Sequence, residues 1–104
     1  MYGQIESQFP RKSELKSDYK KFLRAKAHSL KPVVITGQAG ITPAVLNEIG
    51  LALDHHELIK VRVNAADREE RREMTAQICG ELGAELIQSI GHIITLYRQN
   101  PDKK

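Results

Sequence analysis

Tryptophan is absent from this chain of 104 residues, phenylalanine and tyrosine together supply five, and cysteine occurs once. With so few aromatics, the core has to be built from Ile, Leu and Val. The lone Cys79 excludes an internal disulfide and fits a reducing, cytoplasmic setting. No run approaches the ~20 apolar residues needed to cross a bilayer, and Met1 to Pro10 lack the apolar centre of a signal peptide. No membrane partner is expected. A chain of this length makes one domain with short tails.

Several catalytic signatures are missing too. There is no Gly-x-x-x-x-Gly-Lys-Ser/Thr loop and no Gly-x-Gly-x-x-Gly fingerprint, so neither a P-loop nor a Rossmann enzyme fits. His55-His56-Glu57 lacks the companions of a metal site, since neither a His-Glu-x-x-His helix nor a Cys-x-x-Cys pair occurs. Cys79 falls inside an amphipathic stretch with no histidine nearby in sequence to activate it. Glu69, Glu70 and Glu73 alternate with Arg68, Arg71 and Arg72, a pattern that reads as a solvated, salt-bridged helix face. The expectation is a protein without metal, cofactor or catalysis.

What the chain does have is positive charge, unevenly spread. Arg11, Lys12, Lys16, Lys20, Lys21, Arg24, Lys26 and Lys31 make up half of its sixteen basic residues, against only Glu14 and Asp18 in the same stretch. Such asymmetry points to a polyanion or an acidic surface as partner.

Residues 1–12 carry little hydrophobic pattern and read as a flexible tail, residues 13–98 as the domain, and 99–104 as a polar tail. From Ser13, Leu15, Tyr19, Phe22, Leu23, Ala27 and Leu30 recur at helical steps until Lys31-Pro32 stops the helix. Val33 to Thr36 is a short apolar run of the kind buried on both faces. A second helix is expected from Pro43 to about Asp54. In the strand Leu58 to Asn64, Ile59, Val61 and Val63 alternate with Lys60 and Arg62, which leaves one sheet face open and basic. Asp67 and Glu70 form a capping box for a third helix that Gly83 ends. Leu86 to Ile90 and Ile93 to Arg98 then pair across Gly91-His92, glycine first, as a type II′ hairpin requires. The order α-β-α-β-α-β-β predicts a two-layer α/β sandwich, a four-stranded mixed sheet with helices on one side.

The stretch Val33-Val34-Ile35-Thr36-Gly37-Gln38-Ala39-Gly40-Ile41-Thr42-Pro43 joins a strand to a helix through a Gly-x-x-Gly turn. Thr42 suits the N-cap and Pro43 the first helical position, so the free N–H groups of that helix face the loop and favour an anion. With the basic first helix, and with Lys60 and Arg62 on the open sheet face, the loop offers several places for a phosphate. The exposed sheet aromatics with which an RRM stacks bases are missing. The loop also differs from that of a KH domain, where it joins two helices. Recognition of RNA shape and backbone is the better expectation; a protein-interaction module whose basic helix meets an acidic partner is the alternative.

Four blocks carry a family likeness: Leu30-Lys31-Pro32-Val33-Val34, Gly37-Gln38-Ala39-Gly40-Ile41-Thr42, Ala52-Leu53-Asp54-His55-His56-Glu57-Leu58-Ile59-Lys60-Val61 and Gly91-His92-Ile93-Ile94-Thr95-Leu96-Tyr97-Arg98. In this order, across roughly residues 15–98, they resemble the CRM (chloroplast RNA splicing and ribosome maturation) domain in its stand-alone bacterial, YhbY-like form. The resemblance implies a fold like the C-terminal domain of translation initiation factor three. It also implies non-catalytic RNA binding, with precursors of the large ribosomal subunit as partner. Separately, no strong a/d seam argues for a coiled coil, and a monomer is the expected state. By the same motifs, the RNA-facing loop would be Gly37, Gln38, Ala39 and Gly40, joined by Lys31, Lys60, Arg62 and Arg98. His92 stands where the family pattern often has lysine, which weakens a charge contact there near neutral pH.

Overall fold

A computed structural model describes residues 17–99. The expected tail over residues 1–12, the helix start at Ser13 with Leu15, and all but Gln99 of the tail over 99–104 lie outside the described residues. Seven elements follow one another: α1 (Ser17–Ala27), β1 (Pro32–Ile35), α2 (Pro43–His56), β2 (Leu58–Arg62), α3 (Arg68–Leu82), β3 (Glu85–Ile90) and β4 (Ile93–Tyr97). This is the expected order. The strands form one sheet in the order β1-β2-β4-β3, with β1 and β2 parallel and the remaining pairs antiparallel.

The strand alternation does what its period dictates. Ile59, Val61 and Val63 of β2 and its extension join Val34, Ile94 and Leu96 in a core closed by Ile49 and Leu53 of α2 and by Met74 and Ile78 of α3. Fully burying an aliphatic side chain contributes roughly 1.5–3 kcal/mol, so this layer holds most of the fold's apolar stabilisation. On the opposite face, Leu58, Ile87 and Tyr97 pack against Leu23 and Ala27 of α1, with Tyr19 alongside. Helices on one side therefore describes α2 and α3, whereas α1 covers one end of the other face. The stripe on α1 is also narrower than its sequence pattern. Leu23 and Ala27 are buried, but Phe22 is half exposed, with Tyr19 and the Lys26 ammonium against its ring. The helix ends at Ala27, ahead of the Lys31-Pro32 stop, and a turn through His28 and Leu30 closes it.

β1 is an edge strand, and only Val34 of its residues is buried. Val33 and Ile35 are 49% and 62% exposed because α1 does not reach over that part of the sheet. The expectation of a strand buried on both faces is corrected accordingly. Local signals elsewhere hold. The Asp67 carboxylate accepts from the Glu70 N–H, and Glu70 accepts from the Ala66 N–H. Gly83 ends α3 in the left-handed region, and Gly91 opens the β3–β4 turn at φ +57°. α2 runs through His56, two residues past the expected end, and closes on Glu57 at φ 64° with its N–H on the Leu53 carbonyl.

Arg98 staples the end of the sheet away from the glycine loop. Its guanidinium donates to the Leu82 carbonyl at 2.8 Å, the Gly50 carbonyl at 3.1 Å and the Asp54 carboxylate at 2.7 Å, joining the C-terminal half of α2 to the end of α3. Only a planar fork makes these contacts together. Arg98→Ala should lower the unfolding free energy by about 1–3 kcal/mol in urea titrations, and Arg98→Lys should recover little of it.

Tyr19 and Tyr97 give the fold an alkaline limit. Burial, followed by the Glu57 charge, pushes the Tyr19 phenol up from 10.0 to about 12. Burial raises Tyr97 as well, with Tyr19 and Glu57 adding to it. A raised folded-state pKa means that the native state holds its proton longer than the unfolded chain. The stabilisation is complete below pH 10 and is lost as pH rises through 10 toward 12. Urea midpoints measured in steps across that window should fall, and Tyr19→Phe should flatten the decline.

Candidate nucleic-acid interface

Three connections gather at one end of the sheet because β1 and β2 run toward it and β4 starts from it. The first is Gly37–Gly40, closed by the Gly40 N–H on the Gly37 carbonyl at 3.1 Å. Gln38 and Ala39 stand at its exposed tip. Gly40 has φ +77°, a conformation that a side chain would strain, and open space surrounds both glycines. The second connection begins at Asn64, and the third is the Gly91-His92 turn.

The base of the loop is held firmly. Thr36 is fully buried; its N–H donates to the Arg62 carbonyl, its hydroxyl accepts from the Asn64 N–H at 2.9 Å, and its carbonyl accepts from the Asn64 amide at 2.8 Å. The Val63 N–H donates to the His92 carbonyl at 2.7 Å. Between these connections lies an open cleft of about 440 Å³ lined by Gly37, Gln38, Asn64, Ala65 and His92. The N-cap of α2 is formed as expected, with the Thr42 hydroxyl accepting from the Val45 N–H at 3.1 Å and Pro43 in the first turn. Sequence reasoning missed Asn64. Its signal was only its place just after the alternating strand.

The basic residues expected beside the loop do not gather there. Arg62 does lie close: it is exposed at the end of β2, opposite Ile35, with its Nε donating to the Asn64 side chain at 3.3 Å. Lys60 stands two residues back on the same face, half-buried and in register with Pro32 and Thr95. Lys31 precedes β1, six residues before Gly37, which places it about 20 Å from the loop at ~3.3 Å per residue. It lines a separate groove of about 470 Å³ with Lys26, Leu30 and His56. Arg98 is committed to its staple at the far end. Of the four, only Arg62 adjoins the glycine loop; Lys60 and Lys31 both lie farther back, beside Pro32, and Arg98 is at the far end.

The surface around Arg62 is amphipathic as well as basic. Ile35, Arg62, Ile93 and Ile90 align across β1, β2, β4 and β3 on the face that α1 leaves open, and Ile90 is 64% exposed.

The chain matches the CRS1 / YhbY (CRM) domain over residues 15–98. It is 48% identical to an RNA-binding protein of Haemophilus influenzae over 90 residues, covering 86% of this chain and 91% of that protein. A probable RNA-binding protein of Pseudomonas aeruginosa is 41% identical over 87 residues, 84% of each chain. The solution structure of a hypothetical protein from Staphylococcus aureus superposes with a TM-score of 0.75 at 31% identity, over 86% of this chain and 94% of that one. On a match that spans every element from α1 to β4, the chain belongs to the CRS1 / YhbY (CRM) domain family.

Proposed function

We propose that this protein binds structured RNA through the Gly37–Gly40 loop and the adjoining Arg62 and Lys60 face, without catalysis, and that its RNA is that of the large ribosomal subunit in precursor particles. The observation that carries the reading is the loop itself. A side-chain-poor tip stands on a buried, hydrogen-bonded base at the N-terminus of a capped helix, beside exposed Arg62. Such a tip lets a bulky polyanion come close to backbone N–H groups, and the helix dipole favours the phosphate. The names of the two relatives support RNA as the ligand class. The finer assignment to precursor large subunits rests on the family resemblance. The aliphatic row of exposed Ile35, half-buried Ile93 and exposed Ile90 favours a second reading, a protein partner on the same face; association insensitive to RNase is its signature.

The double substitution Gln38→Asp with Ala39→Asp puts like charge at the tip, away from the core. It should leave the melting temperature unchanged and weaken RNA binding. Equal affinity of mutant and wild type would remove the loop from the interface. Arg62→Ala should lower the slope of log affinity against log salt by about 0.7–0.9, the share of one phosphate contact. In low-salt sucrose gradients of a cell extract, wild type should travel with large-subunit particles and the loop variant should stay at the top. If wild type stays at the top too, the ribosomal assignment is lost.

A further inference from the structure

Arg68, Arg71 and Arg72 read in sequence as half of a salt-bridged face, but the helix separates them from their acids. At about 100° per residue, positions 68, 71, 72, 75 and 79 fall on one side of α3, while Glu69, Glu70 and Glu73 turn away. Glu70 is used at the N-cap, accepting from the Ala66 N–H. Among the described residues, none of the three guanidinium groups is engaged in an ion pair or a hydrogen bond. Together they line one wall of a groove of about 590 Å³ between α3 and the edge strand β3, with Leu86 and Ser89 on the other wall. Glu85 is the single acidic side chain of that lining.

The groove does not stand alone. Gly91 closes one end of it, and the next residue, His92, lines the cleft beside Gly37 and Gln38. A ligand in the loop cleft therefore reaches the arginines by passing over a single β-turn.

We infer that the α3–β3 groove is a second docking surface for the RNA backbone, in which Arg68, Arg71 and Arg72 take phosphates of the same RNA that engages the glycine loop. This inference rests on the RNA-binding reading above and extends its footprint to a face of the molecule distant from Lys60. Charge complementarity selects the ligand: three unpaired guanidinium groups offer fork geometry suited to phosphate oxygens. Continuity with the loop cleft selects a ligand that carries charge along its length. A peptide strand added to β3 fits less well, because the register shift between Leu86 and Gln88 breaks the regular edge such a strand needs.

The test compares wild type, Arg68→Ala with Arg72→Ala, Arg68→Lys with Arg72→Lys, and the doubly substituted loop variant. The probes are deproteinised large-subunit ribosomal RNA and, as an acidic polypeptide, polyglutamate. Affinity for RNA is measured over a series of salt concentrations, with a thermal melt to establish that each variant folds. The alanine pair should lower the salt slope for RNA by about 1.4–1.8, two contacts at about 0.7–0.9 each, and the lysine pair should restore most of it. Binding by the loop variant should fall independently. An alanine pair with an unchanged slope, beside a weakened loop variant, overturns the groove while the loop reading stands. Loss of polyglutamate binding without loss of RNA binding overturns it in favour of an acidic protein partner. A wild type that fails to bind the RNA overturns the RNA reading and the groove together.

Discussion

Two parallel strands that end side by side leave backbone groups facing one another with nothing to pair them, and here Thr36 and Asn64 supply the pairing. Thr36 follows β1 and is fully buried, so its N–H, hydroxyl and carbonyl must all find partners inside the protein. They find Arg62 and Asn64, at the end of β2 and just beyond it. The following residue is Gly37. The glycine turn therefore starts from a point fixed to two strands, and α2 starts at Pro43, three residues after Gly40. The bond from the Val63 N–H to the His92 carbonyl draws the β3–β4 turn into the same hub. Spacing among the three connections is thus set by a few short hydrogen bonds, while the surfaces they present stay open.

The opposite end of the sheet is built on the contrary plan. There Arg98 spends its donors on carbonyls and a carboxylate of the two helices, and Glu57 turns the chain at positive φ into β2. Tyr97 packs beneath α1 at the same end, with Tyr19 of that helix alongside. One pole is closed by satisfied polar groups and buried rings; the other leaves Gln38, Ala39 and Arg62 in solvent. A basic residue counted from sequence can belong to either pole, and only its partners decide which.

That distinction marks how far the sequence could be read. Element order, the alternation of β2, the Asp67–Glu70 box and the glycine of the hairpin are local features, and each appears where its local chemistry places it. The side of the sheet on which α1 packs is not local. Its stripe shows that Leu23 and Ala27 are buried, but the same stripe would fit either face, and the choice depends on Leu58, Ile87 and Tyr97 converging from three strands. Val33 and Ile35 were misleading for a related reason: a β-branched run looks the same whether its second face meets a helix or water. Arg98 finds its partners 16, 44 and 48 residues away, and no sequence window joins them. Arg68, Arg71 and Arg72 lie beside glutamates in sequence, yet the helical turn carries the two sets to different faces.

On the proposed reading the open face also bears on why a loop and a few cations suffice for an RNA ligand, although the described strands expose no aromatic side chain. Beside Asn64, which accepts from its Nε, Arg62 has aliphatic neighbours: Ile35 is opposite it on β1 and Ile93 on β4. In that reading a phosphate approaching this exposed guanidinium therefore meets a charge flanked by apolar surface on two strands. On the same reading these flanks present flat apolar surface to the sugar edge of the backbone. Shape and charge together then replace stacking. On the proposed reading this arrangement favours a folded RNA over an extended strand, because a folded RNA can meet the rigid loop and the flat row at the same time.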